Sequence, residues 1–265
     1  MTVSEIQQRI QNAKPLDFSS IFNQAIELFK KIWVQGLITV ILNMVLVIPV
    51  MMVIYIPLIF MGVLDAYSVN SIDEYGYDNY NEPELSPIVM LIMFVVYIFA
   101  VAAVSTITMA LRAAFYRICK MKDFDEMGKE DYFYFLKKKY LAKSLKLALA
   151  SMGIALLAAL LCFLPLIYAI VPLSYVYVVY AFNPDKSISE ILRLSFDLGN
   201  KKWLLTLGLL FICGLLAGIV GFVLCFIGIY VTQSFSYLGP YLIYKDVVGF
   251  EDEDMTPRIE EHSSM

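Results

Sequence analysis

The chain has 265 residues, 60% of them hydrophobic and only 17% charged, with a mean hydropathy of +0.72, whereas an ordinary soluble domain is about 25% charged. Its formal net charge is −4, but the charges are clumped: residues 32–64, 85–111, 147–184 and 203–244 contain no Asp, Glu, Lys or Arg. These stretches exclude a soluble globular protein, and what lies between them is too scattered for a separate catalytic domain of about 100 residues. We expect an all-α integral membrane protein, one membrane domain over residues 1–265.

In chain order, residues 1–16 read as a cytosolic N-terminal segment, without the apolar core or cleavage site of a removable signal peptide. The first span is then expected to act as its own insertion signal. After Asp17, an N-cap residue, Phe18, Ile21, Phe22, Ala25, Ile26 and Phe29 recur at helical spacing and make one apolar face. Too short to cross, this segment predicts an amphipathic helix lying in the membrane interface and leading into Trp33. Stretches 32–64 and 85–111 are each long enough to cross once at 1.5 Å per residue. The loop between them carries Asp65, Asp73, Glu74, Asp78, Glu82 and Glu84 and no cation. The positive-inside rule places that loop outside and the N-terminus in the cytosol.

Residues 113–129 read as a cytosolic loop in the most basic part of the chain, since Arg112 to Lys146 holds 10 of the 20 Lys and Arg residues. With Tyr132, Phe133, Tyr134 and Phe135 it suits contact with anionic headgroups. Stretches 147–184 and 203–244 would make helices of about 57 and 63 Å if continuous, more than tilt can absorb. Each is expected to double back, near Pro165 or Pro172 in the first and near Gly221 or Gly228 in the second. With six spans all 20 basic residues stay in the cytosol; with four, Lys186, Arg193, Lys201 and Lys202 are exported. The prediction is a six-span bundle with both termini inside and an acidic cytosolic tail over 246–265. A kinked or partly re-entrant pair within 147–184 is the alternative.

The design before the first span recurs 170 residues later, where Ile188, Ile191, Leu192, Ser195, Phe196 and Gly199 take the corresponding positions, and Trp33 meets Trp203. The second copy opens with its own capping signal, Ser187 followed by Glu190. A looser third copy starts at Asp131. The simplest reading is a threefold repeat of interfacial helix plus hairpin, with units at 17–112, 130–182 and 187–245; the competing reading is that Trp and Lys anchor any helix at a membrane boundary.

The segment NPDKSISEILRLSFDLGNKKW, the glycine-rich double span after it and YLGPYLIYKD resemble a broad group of poorly characterised multi-pass bacterial membrane proteins. They are similar to the membrane domain that precedes the catalytic domain in some glycerophosphodiester phosphodiesterases. The resemblance covers about residues 130–246 and the first unit more loosely. It implies an all-helical, six-span domain of the bacterial inner membrane and brings no reaction with it. With 20 residues after Lys245, no phosphodiesterase domain is expected to follow.

The inventory for chemistry is thin. The one histidine is His262, in the tail, so histidine-dependent metal and acyl-transfer chemistry is not expected. No catalytic, cofactor-binding or metal-binding residue is assigned, and no cofactor. The cysteines carry no disulfide framework: Cys162, Cys213 and Cys225 lie in apolar stretches and Cys119 in the basic segment. The acidic loop lacks the spacing of a calcium loop, and no basic surface clear of the membrane invites nucleic acid. The uncharged stretches hold no carboxylate for a proton or ion relay. Asn43, Gln233, Thr106, Thr108 and Thr232 are expected to hydrogen-bond between helices. The small ridges at Gly214 and Gly218 and at Ser151, Ala155 and Ala159 are expected to pack within the chain.

The function expected is that of a non-enzymatic protein of the cell membrane, membrane-organising, lipid-interacting or accessory, with lipids and a membrane protein or a second copy as partners. The rival is a transporter for a small or lipid-like solute. A weaker third is an enzyme working through Asp123, Glu126 and Asp131.

Overall fold

A run of Leu, Ile, Val and Met without charges can satisfy its backbone in lipid only by bonding to itself, and helices are the result. The computed structural model describes residues 1–69, 86–161, 164–224 and 227–250, and over these it is helical, with no strand. The helices are α1 (Val3–Gln11), α2 (Phe18–Val69), α3 (Pro87–Asp123), α4 (Lys138–Leu160), α5 (Leu164–Phe182), α6 (Ile188–Lys201), α7 (Trp203–Val223), α8 (Ile227–Thr232) and α9 (Leu238–Val247). Among the described residues, five helical segments are long and apolar enough to cross a membrane: Phe18–Pro57 of α2, α3, α4, Pro165–Phe182 of α5, and α7. The limb after residue 227 is divided between α8, a 3-10 turn at Gln233–Tyr237 and α9, so it adds no sixth helix of that kind.

Both overlong stretches reverse direction. Tyr180 of α5 reaches back to Ser144 at 2.9 Å and to the Tyr140 carbonyl at 3.3 Å, so α4 and α5 run antiparallel. Pro165 sits in the first turn of α5, where its missing N–H costs nothing, while Pro172 is carried inside the helix. In the other stretch Gly221 of α7 meets Gly228 of α8. A side chain on Gly221 would come within 2.8 Å of the Ile229 backbone nitrogen, and one on Gly228 within 3.0 Å of the Gly221 Cα. Two residues without Cβ atoms let this crossing close, and Thr232 then donates across it to the Ala217 carbonyl at 2.8 Å.

Several boundaries differ from the sequence reading. No separate interfacial helix precedes the first span, because α2 runs unbroken for 52 residues, about 78 Å. The two segments aligned in the sequence part at residues 32 and 202. Ile32 is apolar and fully buried, so α2 continues; its counterpart Lys202, with φ −120° and ψ 27°, ends α6 and sends its ammonium to the Lys14 carbonyl. The apolar face of the first copy is covered by protein: Ile21, Ala25, Leu28 and Ile32 are at most 3% exposed. That of α6 is covered too, through Ile191, Leu194 and Leu198. Where a loop was expected over 113–129, α3 continues to Asp123 with Ala113, Ala114, Phe115, Tyr116 and Cys119 buried. The N-terminal segment contains α1, and Val248 and Phe250, assigned to the tail, are buried in the core.

The buried residues gather at the charge-rich end, where α1, α6, α9 and the inner ends of α2 to α5 meet. Farther along, α2 exposes Val45, Met52 and Ile56, α3 exposes Ile88, Leu91 and Phe99, and α7 exposes Phe211 and Phe222. So much contiguous apolar surface is unsuited to water and suited to lipid. The acids at 70–85, Cys162, Cys225 and residues 251–265, with His262, lie outside the described residues.

Candidate functional site

Three helices end together at the charged face. Asp125, at φ 52°, turns the chain after α3 so that the Glu126 N–H donates to the Met121 carbonyl at 2.8 Å. Gly249, at φ 72°, does the same for α9, its N–H donating to the Lys245 carbonyl at 3.0 Å. Helix α5 ends at Phe182 before Asn183 and Pro184. Helix C-termini leave carbonyls without intrahelical donors and carry partial negative charge, and the basic residues answer that need. Lys143 donates to the Pro184 and Lys186 carbonyls and Arg9 to the Val248 carbonyl at 2.7 Å, while Lys186 donates to the Met1 carbonyl, ahead of α1, at 2.6 Å.

Between these ends lies a cleft of about 460 Å³, in the range of small-molecule sites. Phe182, Tyr244 and Phe250 supply aromatic surface, and Arg117, Lys129 and Glu126 supply charge. Arg117 lies over the Tyr134 ring, 3.7 Å from its centre. Burial works to raise the Tyr134 phenol, but its hydrogen bonds with Tyr140 and Arg117 and the charges of Arg117 and Lys139 hold it below its ordinary value.

A second constellation sits deeper. The part-buried Arg112 of α3 lies 4.3 Å from the centre of the Tyr237 ring and 5.0 Å from that of Tyr177, and donates to the Tyr237 hydroxyl at 3.0 Å. Tyr116 donates to the Tyr237 carbonyl at 3.0 Å. No carboxylate pairs with Arg112 among the described residues. It clasps the 3-10 turn of the broken limb to α3 and α5. Read from sequence, Arg112 only marks the end of an uncharged stretch; the signal overlooked is that Ala113, Ala114, Phe115, Ile118 and Cys119 continue the helix past this cation.

The three carboxylates of the enzymatic reading are each held by a different cation. Asp123 accepts from Lys245 at 2.7 Å and from Tyr241 at 3.0 Å, Glu126 lies 3.6 Å from Lys120, and Asp131 is paired with Lys137. Glu126 and Asp131 line the cleft, and Asp123 does not. Glu130 accepts from three donors, Lys122 at 2.8 Å, Gln35 at 3.0 Å and Tyr132 at 2.9 Å. Burial works to raise its pKa, but the three donors together hold it below the usual carboxylate range. Among the described residues no three His, Cys, Asp or Glu side chains are grouped to hold a metal ion.

The deep polar residues mostly bond between or along helices. Asn43 donates to Thr108 at 3.2 Å across α2 and α3, and Thr106 to the Ala102 carbonyl at 2.7 Å within α3. The Gly214 and Gly218 ridge departs from expectation: a side chain at either meets nothing within 4 Å, so this face of α7 is open instead of packed within the chain. The close approaches are elsewhere, at Gly36 against Ser234 and Gly199 against Pro172.

Fold and site thus describe an all-helical protein with several helices fit to cross a membrane and a densely bonded charged end. No family model, curated protein or solved structure matches the chain.

Proposed function

We propose that this is a non-enzymatic multi-pass protein of the cell membrane, membrane-organising, lipid-interacting or accessory, whose charged end is the cytosolic face. The observation that carries the reading is the division of the molecule. A compact plate of buried aromatic and capped polar groups lies at the basic end, and apolar helix surface projects away from it. Catalysis needs groups free to react and convergent on one point, while here Asp123, Glu126 and Asp131 are each committed to a different lysine. Six crossings with both termini inside are supported by the reversal of both long stretches and by the loop at 183–187, which bonds to Lys143 and Met1 at the same end.

The test is purification in native lipid patches followed by lipid analysis and crosslinking in intact membranes. Enrichment of anionic lipid or recovery of one membrane partner is expected. Lipid of bulk composition together with no crosslinked partner would remove the proposal.

A further inference from the structure

We infer that the cleft at the charged end is a binding site for a phosphoester group, held by Arg117 and Lys129. The three helix ends that meet there oppose an anion, each contributing about half a negative charge. They are, however, already answered: Lys143 caps the carbonyls after α5, Arg9 caps the Val248 carbonyl after α9, and Lys120 lies in the last turn of α3. Glu126 is paired with Lys120, and Asp131 with Lys137. Once these pairs are set aside, Arg117 and Lys129 are the two cleft cations that make no ion pair among the described residues.

Their chemistry selects the ligand. Arg117 lies over the Tyr134 ring and hydrogen-bonds to its phenol, which holds the guanidinium in place and leaves its remaining donors for a group with several acceptor oxygens; a planar fork of this kind suits phosphate. Lys129 adds a mobile point charge. The volume of about 460 Å³ exceeds what a bare phosphate fills, and Phe182, Phe250 and Tyr244 give the surplus an aromatic wall. The ligand is therefore a phosphate ester with an organic body, either the headgroup of an anionic lipid or a soluble phosphoester. For the headgroup source the inference rests on the lipid-interacting reading above; for the soluble source it does not.

The experiment uses the full chain in nanodiscs of phosphatidylcholine, titrated calorimetrically with phenyl phosphate and with inorganic phosphate, and repeated in discs containing phosphatidylglycerol. Saturable binding of phenyl phosphate is expected, tighter than that of inorganic phosphate. It should weaken at least tenfold in Arg117→Gln/Lys129→Gln and remain unchanged in Lys138→Gln, which removes an exposed charge outside the cleft. Competition by phosphatidylglycerol assigns the site to the headgroup, and its absence to a soluble ester. Should the double variant fail to fold, Lys129→Gln alone decides, because this exposed side chain has no partner among the described residues and its loss should still weaken binding several-fold. No response to phenyl phosphate and no retention of phosphatidylglycerol, or equal responses in wild type and in the cleft variants, overturns the inference. If anionic lipid is retained by wild type and by the cleft variants alike, the lipid-interacting reading stands and the site fails.

Discussion

At the scale of single residues, the charges at this end of the molecule contribute through geometry more than through number. Arg112 stacks on two rings and bonds to a hydroxyl, a combination a lysine ammonium cannot make at once. Replacing it with Ala should destabilise the protein by about 2–4 kcal/mol, and Lys should recover less than half of that, as read by thermal unfolding in detergent. Equal stability of the Lys variant and wild type would show that charge alone matters here. Glu130 gives a pH test. Its carboxyl is held below the unfolded value by Lys122, Gln35 and Tyr132, so its contribution is complete above roughly pH 5 and fades as pH falls below about 4. Glu130→Gln should cost about 1–2 kcal/mol at neutral pH, and the two unfolding curves should converge in acid. A difference that persists unchanged at low pH would mean that the ionised carboxylate is not the cause.

At the scale of elements, glycines of the same stretch divide sharply. Gly221→Val drives a side chain into the Ile229 backbone and should open the α7–α8 crossing, lowering the unfolding temperature by several degrees. Gly218→Ala meets nothing within 4 Å and should be neutral or raise stability by up to about 1 kcal/mol through helix propensity. If Gly218→Ala destabilises the protein instead, its open face is packed against a partner in the membrane. Sequence pattern alone does not separate these glycines, since spacing of four marks Gly214 and Gly218 as a packing ridge while the contact forms at Gly221 and Gly228. The reversals, the apolar helices and the start of α6 were legible because each follows from length, charge or a capping signal such as Ser187 with Glu190. The unbroken α2 was not, because periodicity from Phe18 to Phe29 is the same whether the face meets lipid or protein; only the burial of Ile32 beneath later segments decides it. Helix α1 was overlooked although Thr2 and Glu5 form a capping box and Val3, Ile6 and Ile10 share one face. Burying Ile6 and Ile10 yields about 1.5–3 kcal/mol each, so Ile6→Asp should release α1 and expose residues 1–11 to protease. The cleft could not be read in advance, as it exists only where three helix ends distant in sequence meet.

At the scale of the whole molecule, direction along the chain constrains how it can sit in a membrane. Helices α2, α3, α4 and α5 bring the chain from the N-terminus to residue 185, and that loop returns to the starting face, with Lys186 bonded to Met1. Under the six-crossing proposal this contact requires an even number of crossings between the two, whatever the tilt of each helix. The same holds for the rest of the chain, because Lys245 at the end of α9 is paired with Asp123 at the end of α3. Exporting either loop would place Lys143, Lys186 and Lys245 on the far side along with Met1, against the tendency of lysine and arginine to remain in the cytosol. With the four native cysteines replaced by Ser or Ala, single cysteines at positions 164, 185 and 222 should respond differently to an impermeant thiol reagent added to intact cells. Positions 164 and 222, near the two reversals, should be labelled or shielded by lipid, and position 185 should react only after the cells are opened. Labelling of position 185 from outside would invert the molecule, placing the cleft, with Arg117 and Lys129, on the external face.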